Sequence, residues 1–231
     1  DEVAYQNRAF VFRVITGRPW GVLKWAMSLD GRIGLPNGES KWISGEQARM
    51  SVYRLRSKCD AVIVGGGTVR ADNPLLTSRG ISNPEPLRVV VTKSLDLPKE
   101  SQLWDTSIAK TLIVNGSQSK KKLESQIPKG PEFIDIPNLR LKELLEIIAQ
   151  KGCNRVLWEC GPSLATQAIQ QNCIQELCVM IAPKILGGIS SMTPIGDLGF
   201  KSMNQVLSIE NLSIDKLGND LVFKTLLNRP D

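Results

Sequence analysis

The chain has 231 residues, 42% hydrophobic and 23% charged, with a net charge of +6. That is an ordinary globular composition, long enough to bury a core without disulfide or metal staples, and no apolar run reaches the roughly 18 residues of a membrane-spanning helix. There is no histidine, which excludes a Ser–His–Asp triad and His-ligated zinc, and the five cysteines form no C-x-x-C, so they read as free, mostly buried thiols. Residues 1–19 mix polar and aromatic side chains and end in Thr16-Gly17-Arg18-Pro19; they read as a linker entering one domain over 20–231. With no charged-then-apolar leader after Asp1, the chain reads as a fragment or a processed protein.

Gly21–Ser28 predicts a buried strand. Alternation places Val22, Lys24 and Ala26 on one face, and Leu23, Trp25 and Met27 on the other. A lysine there must reach water or a partner, because an unpaired buried charge is costly. Asp30-Gly31-Arg32 predicts a turn. Ser44-Gly45-Glu46-Gln47 matches a capping box, and Ala48, Val52 and Leu55 continue a helix to about Lys58. Asp60–Val64 predicts a strand running into the turn Gly65-Gly66-Gly67-Thr68 and then Asp72-Asn73-Pro74. Leu87–Val91, Thr111–Val114 and Glu132–Ile136 are further strands. Lys120-Lys121-Lys122 reads as a solvated face. Leu141, Leu144, Leu145 and Ile148 mark a helix stopped by Gly152. Arg155–Trp158 is a strand entering the turn Glu159–Ser163, after which Leu164, Ala165, Ala168 and Ile169 form a buried helical face. Glu176–Ala182 is a strand, and residues 205–227 suggest two strands joined around Leu217-Gly218-Asn219-Asp220. Alternating strands and helices predict an α/β fold: a mostly parallel sheet with helices on both faces and antiparallel strands at the C-terminal edge.

Two strands thus end in glycine-rich turns, at Gly65–Thr68 and at Glu159–Ser163. Taken singly, each is better explained by a tight turn needing positive φ than by close approach of a phosphate to the backbone, whereas two such turns on one sheet beside a strand lysine point toward a nucleotide site. Neither matches G-x-G-x-x-G or the Walker motif. Asp72 and Glu159 fall just past predicted strands, where ligands of open α/β sheets bind. They are helix caps or surface groups on one reading, and proton-transfer groups or hydroxyl acceptors on the other. Lys24 either snorkels to water or supplies a cation to the crevice. Arg49 and Arg56 are two turns apart and share a helical face, as solvated charges or as a phosphate clamp. With few aromatics and no basic stripe, a phosphorylated small molecule fits the charge better than nucleic acid or a membrane.

Taken in order, these blocks resemble the reductase domain of bifunctional riboflavin-biosynthesis deaminase/reductases, the RibD C-terminal family. The blocks are Leu23–Arg32, Gly38–Ser44, Arg54-Leu55-Arg56, Gly65–Pro74, Leu76-Thr77, Glu159–Ala165 and Ala182–Gly188, spread over roughly residues 19–226. Residues 5–19 resemble the junction after an upstream deaminase domain. The resemblance implies a dihydrofolate-reductase-like fold, NADPH as hydride donor, and reduction of 5-amino-6-(5-phosphoribosylamino)uracil to its ribitylamino counterpart. It implies cofactor contacts at Ala26, Trp42, Thr68, Asp72, Lys93 and Gly161-Pro162-Ser163-Leu164. It implies substrate contacts at Ser40, Arg56, Leu76, Arg79 and Glu159, with Arg56 toward the ribose phosphate, and Lys24, Asp72 and Glu159 near the reacting ribose. Cys160 departs from the small residue usual there. A homodimer without metal is implied, in the chloroplast stroma for a plant source and in the cytoplasm otherwise. The alternatives are a catalytically inactive reductase-like domain serving folding or dimerisation, and a reductase for another pterin-like or pyrimidine substrate.

Overall fold

The computed structural model describes residues 2–117 and 130–228. The Lys120–Lys122 run lies outside the described residues. The chain forms two compact units, each discontinuous in sequence: Asp1–Trp20 with Tyr53–Cys160, and Gly21–Val52 with Gly161–Asp231. In chain order the elements are α1 (Glu2–Thr16), β1 (Trp20–Ser28), α2 (Glu46–Arg56), β2 (Ala61–Gly65), α3 (Gly66–Asp72), β3 (Leu87–Thr92), β4 (Thr111–Asn115), β5 (Glu132–Asp135), α4 (Leu141–Gln150), β6 (Arg155–Trp158), α5 (Pro162–Gln170), β7 (Glu176–Ala182), β8 (Ser208–Leu217) and β9 (Asp220–Asn228).

The first unit holds five parallel strands in the order β5-β4-β3-β2-β6. Their near-continuous Val, Ile and Leu runs are what strands covered on both faces require. Ala61 to Val64, Val89 and Val90, Leu112 to Val114, and Val156 to Trp158 are all fully buried. Arg88 interrupts β3, yet it too has no exposed surface. Its guanidinium donates to the carbonyl oxygens of Gln102, Leu103, Asp105 and Ala109 at 2.6–3.2 Å, which is how a charge survives there. In α4 the expected stripe of Leu141, Leu144, Leu145 and Ile148 is buried.

The segment read as an entering linker is helical. Glu2–Thr16 forms α1, where Phe12 meets Trp20 edge-on at 5.4 Å and the Arg13 guanidinium donates to the Ala149 carbonyl.

In the second unit β1 pairs parallel with β7, whereas β9 and β8 follow antiparallel. The mostly parallel α/β class with antiparallel C-terminal strands is therefore observed. The β8–β9 loop is Gly218-Asn219, with φ +65° at Gly218, a backbone state that favours glycine in two-residue hairpins. Leu164, Ala165, Ala168 and Ile169 are the buried face of α5, as their spacing predicts.

The helix starts one residue later than the capping box predicts. Gly45, not Ser44, precedes the first helical residue of α2, and its carbonyl accepts the first helical bond, from Arg49. The Gly45 N–H goes to the buried Asp220 carboxylate at 2.6 Å.

Candidate active site

The first unit gathers Arg56, Glu159, Arg79, Tyr53 and Glu85. Glu159 directly follows β6, and its N–H continues the ladder to the Ile63 carbonyl. Arg56 ends α2, and its guanidinium grips Glu159 with both arms, Nε at 2.6 Å and Nη2 at 3.0 Å. A third bond, from Nη1, goes to the Thr77 carbonyl at 3.1 Å. Both side chains of the pair are largely buried, 13% and 12% exposed. Burial is the largest single influence and pushes the Arg56 pKa down, but the charge and hydrogen bond of Glu159, with smaller help from Tyr53 and Glu85, together outweigh it and the net shift is upward. Arg56 therefore stays charged. A carboxylate held in this way is acceptor-only, so Glu159 suits a hydroxyl acceptor rather than a proton donor.

Arg56 and Arg79 both lie near the ring of Tyr53, at 5.7 and 5.5 Å from its centroid. Their states differ. Arg56 is committed to Glu159, whereas Arg79 is exposed and has no acidic partner among the described residues. Leu76, read as a substrate contact, has a buried side chain and a left-handed backbone, φ 58°.

Asp72 is the last residue of α3 and not a loop residue. The glycines before it open that helix. Gly65 is extended at φ −89°, and none of Gly65, Gly66 and Gly67 has positive φ, so the tight-turn explanation fails there. Gly66 is closely packed, since a Cβ would meet Thr92 Oγ1 at 3.1 Å, a tight approach. Thr68 lies within α3, half-buried, and Lys93 is exposed directly after β3.

The second unit carries Lys24, Ala26, Ser40, Trp42 and Gly161–Leu164. Lys24 is half-buried in β1, beside Cys178 of β7 in register, with no hydrogen-bond or ion-pair partner among the described residues. Ala26 is half-buried on the same strand. Ser40 and Trp42 line an open cleft of about 440 Å³ with Leu35, Ile43, Lys184 and Leu186. Trp42 is exposed, the Arg49 guanidinium lies 4.6 Å from its ring centroid, and Lys184 Nζ donates to its carbonyl at 2.7 Å. Arg49 and Arg56 therefore serve different partners. Gly161 precedes α5 at φ −70°, with no side-chain cap, and a Cβ there would meet nothing within 4 Å. Neither backbone conformation nor protein packing demands a glycine at 161. The uncapped N–H groups of a nine-residue helix and the open space suit close approach of an anion.

Asp30, which the sequence marks only as a turn residue, is a positioning group. Its carboxylate accepts the Ser28 hydroxyl at 2.6 Å and the N–H groups of Leu186 and Gly187 at 3.0 and 2.7 Å, so it ties one cleft wall to β1. The Ser28 bond first, then the two N–H bonds, lower its pKa to about 2. A depressed carboxylate contributes stability above its unfolded pKa near 3.9, which is lost as pH falls through the folded value. An NMR titration should therefore show the Leu186 and Gly187 amides shifting with a midpoint near pH 2, well below the ordinary aspartate value.

None of the five cysteines is in a disulfide. Burial, then the charge of Glu159, pushes the Cys160 thiol up to about 12, so it is inert near neutrality. Among the described residues no cluster could hold a metal ion, and no helix is long and apolar enough to cross a membrane.

A family profile for the RibD C-terminal domain matches residues 19–223. The chain belongs to that family. The riboflavin biosynthesis protein RibD of Synechocystis is 43% identical over 94% of this chain and 59% of its own length. The Arabidopsis thaliana riboflavin biosynthesis protein PYRR, named as chloroplastic, is 38% identical over 96% of the chain and 37% of its own length. A solved Acinetobacter baumannii RibD superposes with a TM-score of 0.84 at 29% identity, over 98% of this chain and 63% of that one. The present RibD C-terminal domain thus spans about 60% of the RibD chains it matches, and the expected dihydrofolate-reductase-like α/β fold is observed.

Proposed function

We propose that this RibD C-terminal domain catalyses the NADPH-dependent reduction of 5-amino-6-(5-phosphoribosylamino)uracil to its ribitylamino counterpart. Family membership supports the reaction class. The single observation that carries the substrate is the placing, at one tyrosine ring, of Arg56, which grips the Glu159 carboxylate, and of Arg79, which has no acidic partner among the described residues. A hydroxyl acceptor and a free guanidinium are the two contacts that a phosphorylated ribose needs.

The ribosylamine opens to an imine, its C1′ accepts a hydride and its nitrogen a proton. Arg79 holds the phosphate, and Glu159 accepts from a ribose hydroxyl and orients the chain of carbons. Because Glu159 is acceptor-only in its pair with Arg56, the proton comes from another group, and Lys24 and Asp72 are the side chains assigned to the reacting ribose. When bound, NADPH supplies the hydride. In the second unit, the uncapped start of α5 at Gly161–Leu164 fits its phosphates, Trp42 offers an exposed ring, and Ala26 leaves the strand surface low. In the first unit, Thr68, Asp72 and Lys93 stand as the cofactor positions that the family resemblance assigns.

Absorbance at the nicotinamide band tests the reading. The deaminated pyrimidine should be turned over with NADPH and dihydrofolate should not, whereas oxidation of NADPH with dihydrofolate alone would overturn the substrate. NADPH should be preferred to NADH, since each charge-assisted contact to the extra phosphate contributes about 1.5–3 kcal/mol; equal kcat/KM for the two would remove NADPH from the proposal. Gly161→Ala should weaken NADPH binding, read by fluorescence, while lowering stability by no more than about 1 kcal/mol. Unchanged NADPH affinity would take α5 out of the cofactor site. A homodimer fits the exposed Ile209, Ile214 and Leu221 of the antiparallel strands, and a monomer by analytical ultracentrifugation would rule it out.

A further inference from the structure

The loop that carries Arg79 is built with unusual backbone. Leu76, Arg79 and Gly80 all have left-handed φ, at 58°, 62° and 80°. For residues with side chains that conformation is strained, and it persists only where surrounding structure over-determines it. Here the surroundings are specific. Leu76, Thr77 and Ser78 are buried, whereas Arg79 is exposed. The carboxylate of Glu85 accepts the N–H of Ser78 at 2.6 Å and the N–H of Gly80 at 2.7 Å, one bond on each side of Arg79. The Ser78 hydroxyl accepts the N–H of Ser82 at 3.0 Å, closing the loop on itself. The Arg79 guanidinium then lies against Tyr53.

We propose that Glu85 is a positioning residue that presets Arg79 for the ribose phosphate, so that discrimination for a phosphorylated substrate resides in the Arg79–Glu85 clamp; this rests on the function proposed above. The Glu85 carboxylate is engaged by the backbone N–H groups of Ser78 and Gly80. Its two charge-assisted bonds hold the backbone on both sides of one arginine, and they fix where that guanidinium begins its reach. Arg56 cannot substitute, because its fork is filled by Glu159 and the Thr77 carbonyl. The same carboxylate sits near enough to feel Arg56, and its two backbone N–H bonds outweigh burial to hold its pKa below the usual glutamate value. It is ionised wherever the enzyme would be assayed.

The test uses the full chain and two substrates, the phosphorylated pyrimidine and its dephosphorylated form. R79A should raise KM for the phosphorylated substrate by about 10- to 150-fold, the loss of one charge-assisted contact. E85A should raise it roughly tenfold or more through misplacement, with KM for the dephosphorylated substrate and kcat unchanged. E85Q, which keeps one carbonyl acceptor, should recover part of the loss. The R79A/E85A double variant should be no worse than R79A, since the second residue acts through the first. Additive losses, or an E85A effect equal for both substrates, would overturn the clamp and leave Glu85 as a general stabiliser of the loop. If the unmutated chain turns over neither pyrimidine, the function proposed above falls. The clamp is then judged by calorimetry with ribose 5-phosphate: weaker binding by both R79A and E85A sustains it, and unaltered binding by E85A ends it.

Discussion

Arg56→Ala is expected to damage stability and turnover together. The guanidinium makes three bonds, two of them to a carboxylate that is 12% exposed. Removing one partner of a largely buried pair leaves the other charge uncompensated, at a cost of about 3–5 kcal/mol. For a chain of this size that lowers Tm on the order of 10 °C. Glu159 loses its orientation at the same time, so kcat should fall at least about tenfold, with a rise in KM for the pyrimidine. From sequence alone, Arg56 is a phosphate ligand remote from the chemistry, and its loss raises only KM. The two cases separate cleanly. A KM rise of about 10- to 150-fold at constant kcat and Tm means that Arg56 leaves Glu159 for the phosphate when substrate binds. A fall in kcat with a fall in Tm means that it acts by holding Glu159. Replacing both partners, as in R56M/E159L, should recover much of the stability and none of the activity, because an apolar pair removes the unpaired charge. The NADPH KM should stay unchanged throughout.

The difference between those expectations shows what the chain makes legible. Residues adjacent in sequence were readable. The four apolar positions of α4 and the four of α5 follow helical spacing, and all eight are buried. The strands of the first unit announce themselves as short apolar runs because they are covered on both faces. The antiparallel pair around Gly218-Asn219 is set by local turn chemistry. By contrast, Arg56 and Glu159 are 103 positions apart, and nothing local in either segment names the other. Arg88 is similar: its four carbonyl acceptors come from residues 102–109, so an arginine inside a valine run gives no sign that it is fully buried. Gly65–Thr68 misled for a different reason. Glycine disfavours helix, but close packing of Gly66 on Thr92 overrides propensity and opens α3 there. Residues 2–16 misled because their apolar positions are not all buried: Phe10, Val11, Val14 and Ile15 remain exposed on α1, which blurs the amphipathic pattern. The site residues themselves came from resemblance. The structure adds how they are held, by Arg56 for Glu159, by Asp30 for the cleft wall, and by Glu85 for Arg79.

Lys24→Met should give the sharpest divergence between activity and stability. Lys24 sits in β1 after the fully buried Val22 and Leu23, on a strand paired with β7 through the length of its apolar segment. No carboxylate or carbonyl among the described residues holds its ammonium. A half-buried cation without a partner contributes nothing to folding that a methionine of similar length would not, and it carries a desolvation cost that methionine lacks. Tm should therefore hold or rise. Activity should fall steeply, because a cation placed where negative charge or a proton moves in the transition state commonly contributes about 10²–10³-fold. A stable but nearly inactive K24M, with NADPH affinity intact by fluorescence, identifies Lys24 as a group kept for chemistry at the expense of stability, the usual signature of a functional site. An active K24M that is equally stable makes Lys24 a snorkelling surface residue. A K24M that is less stable and less active in proportion assigns the lysine to the fold. Lys24→Arg completes the set: it keeps the charge but enlarges and broadens the head, so it should retain the fold and restore only part of the rate if position as well as charge is used.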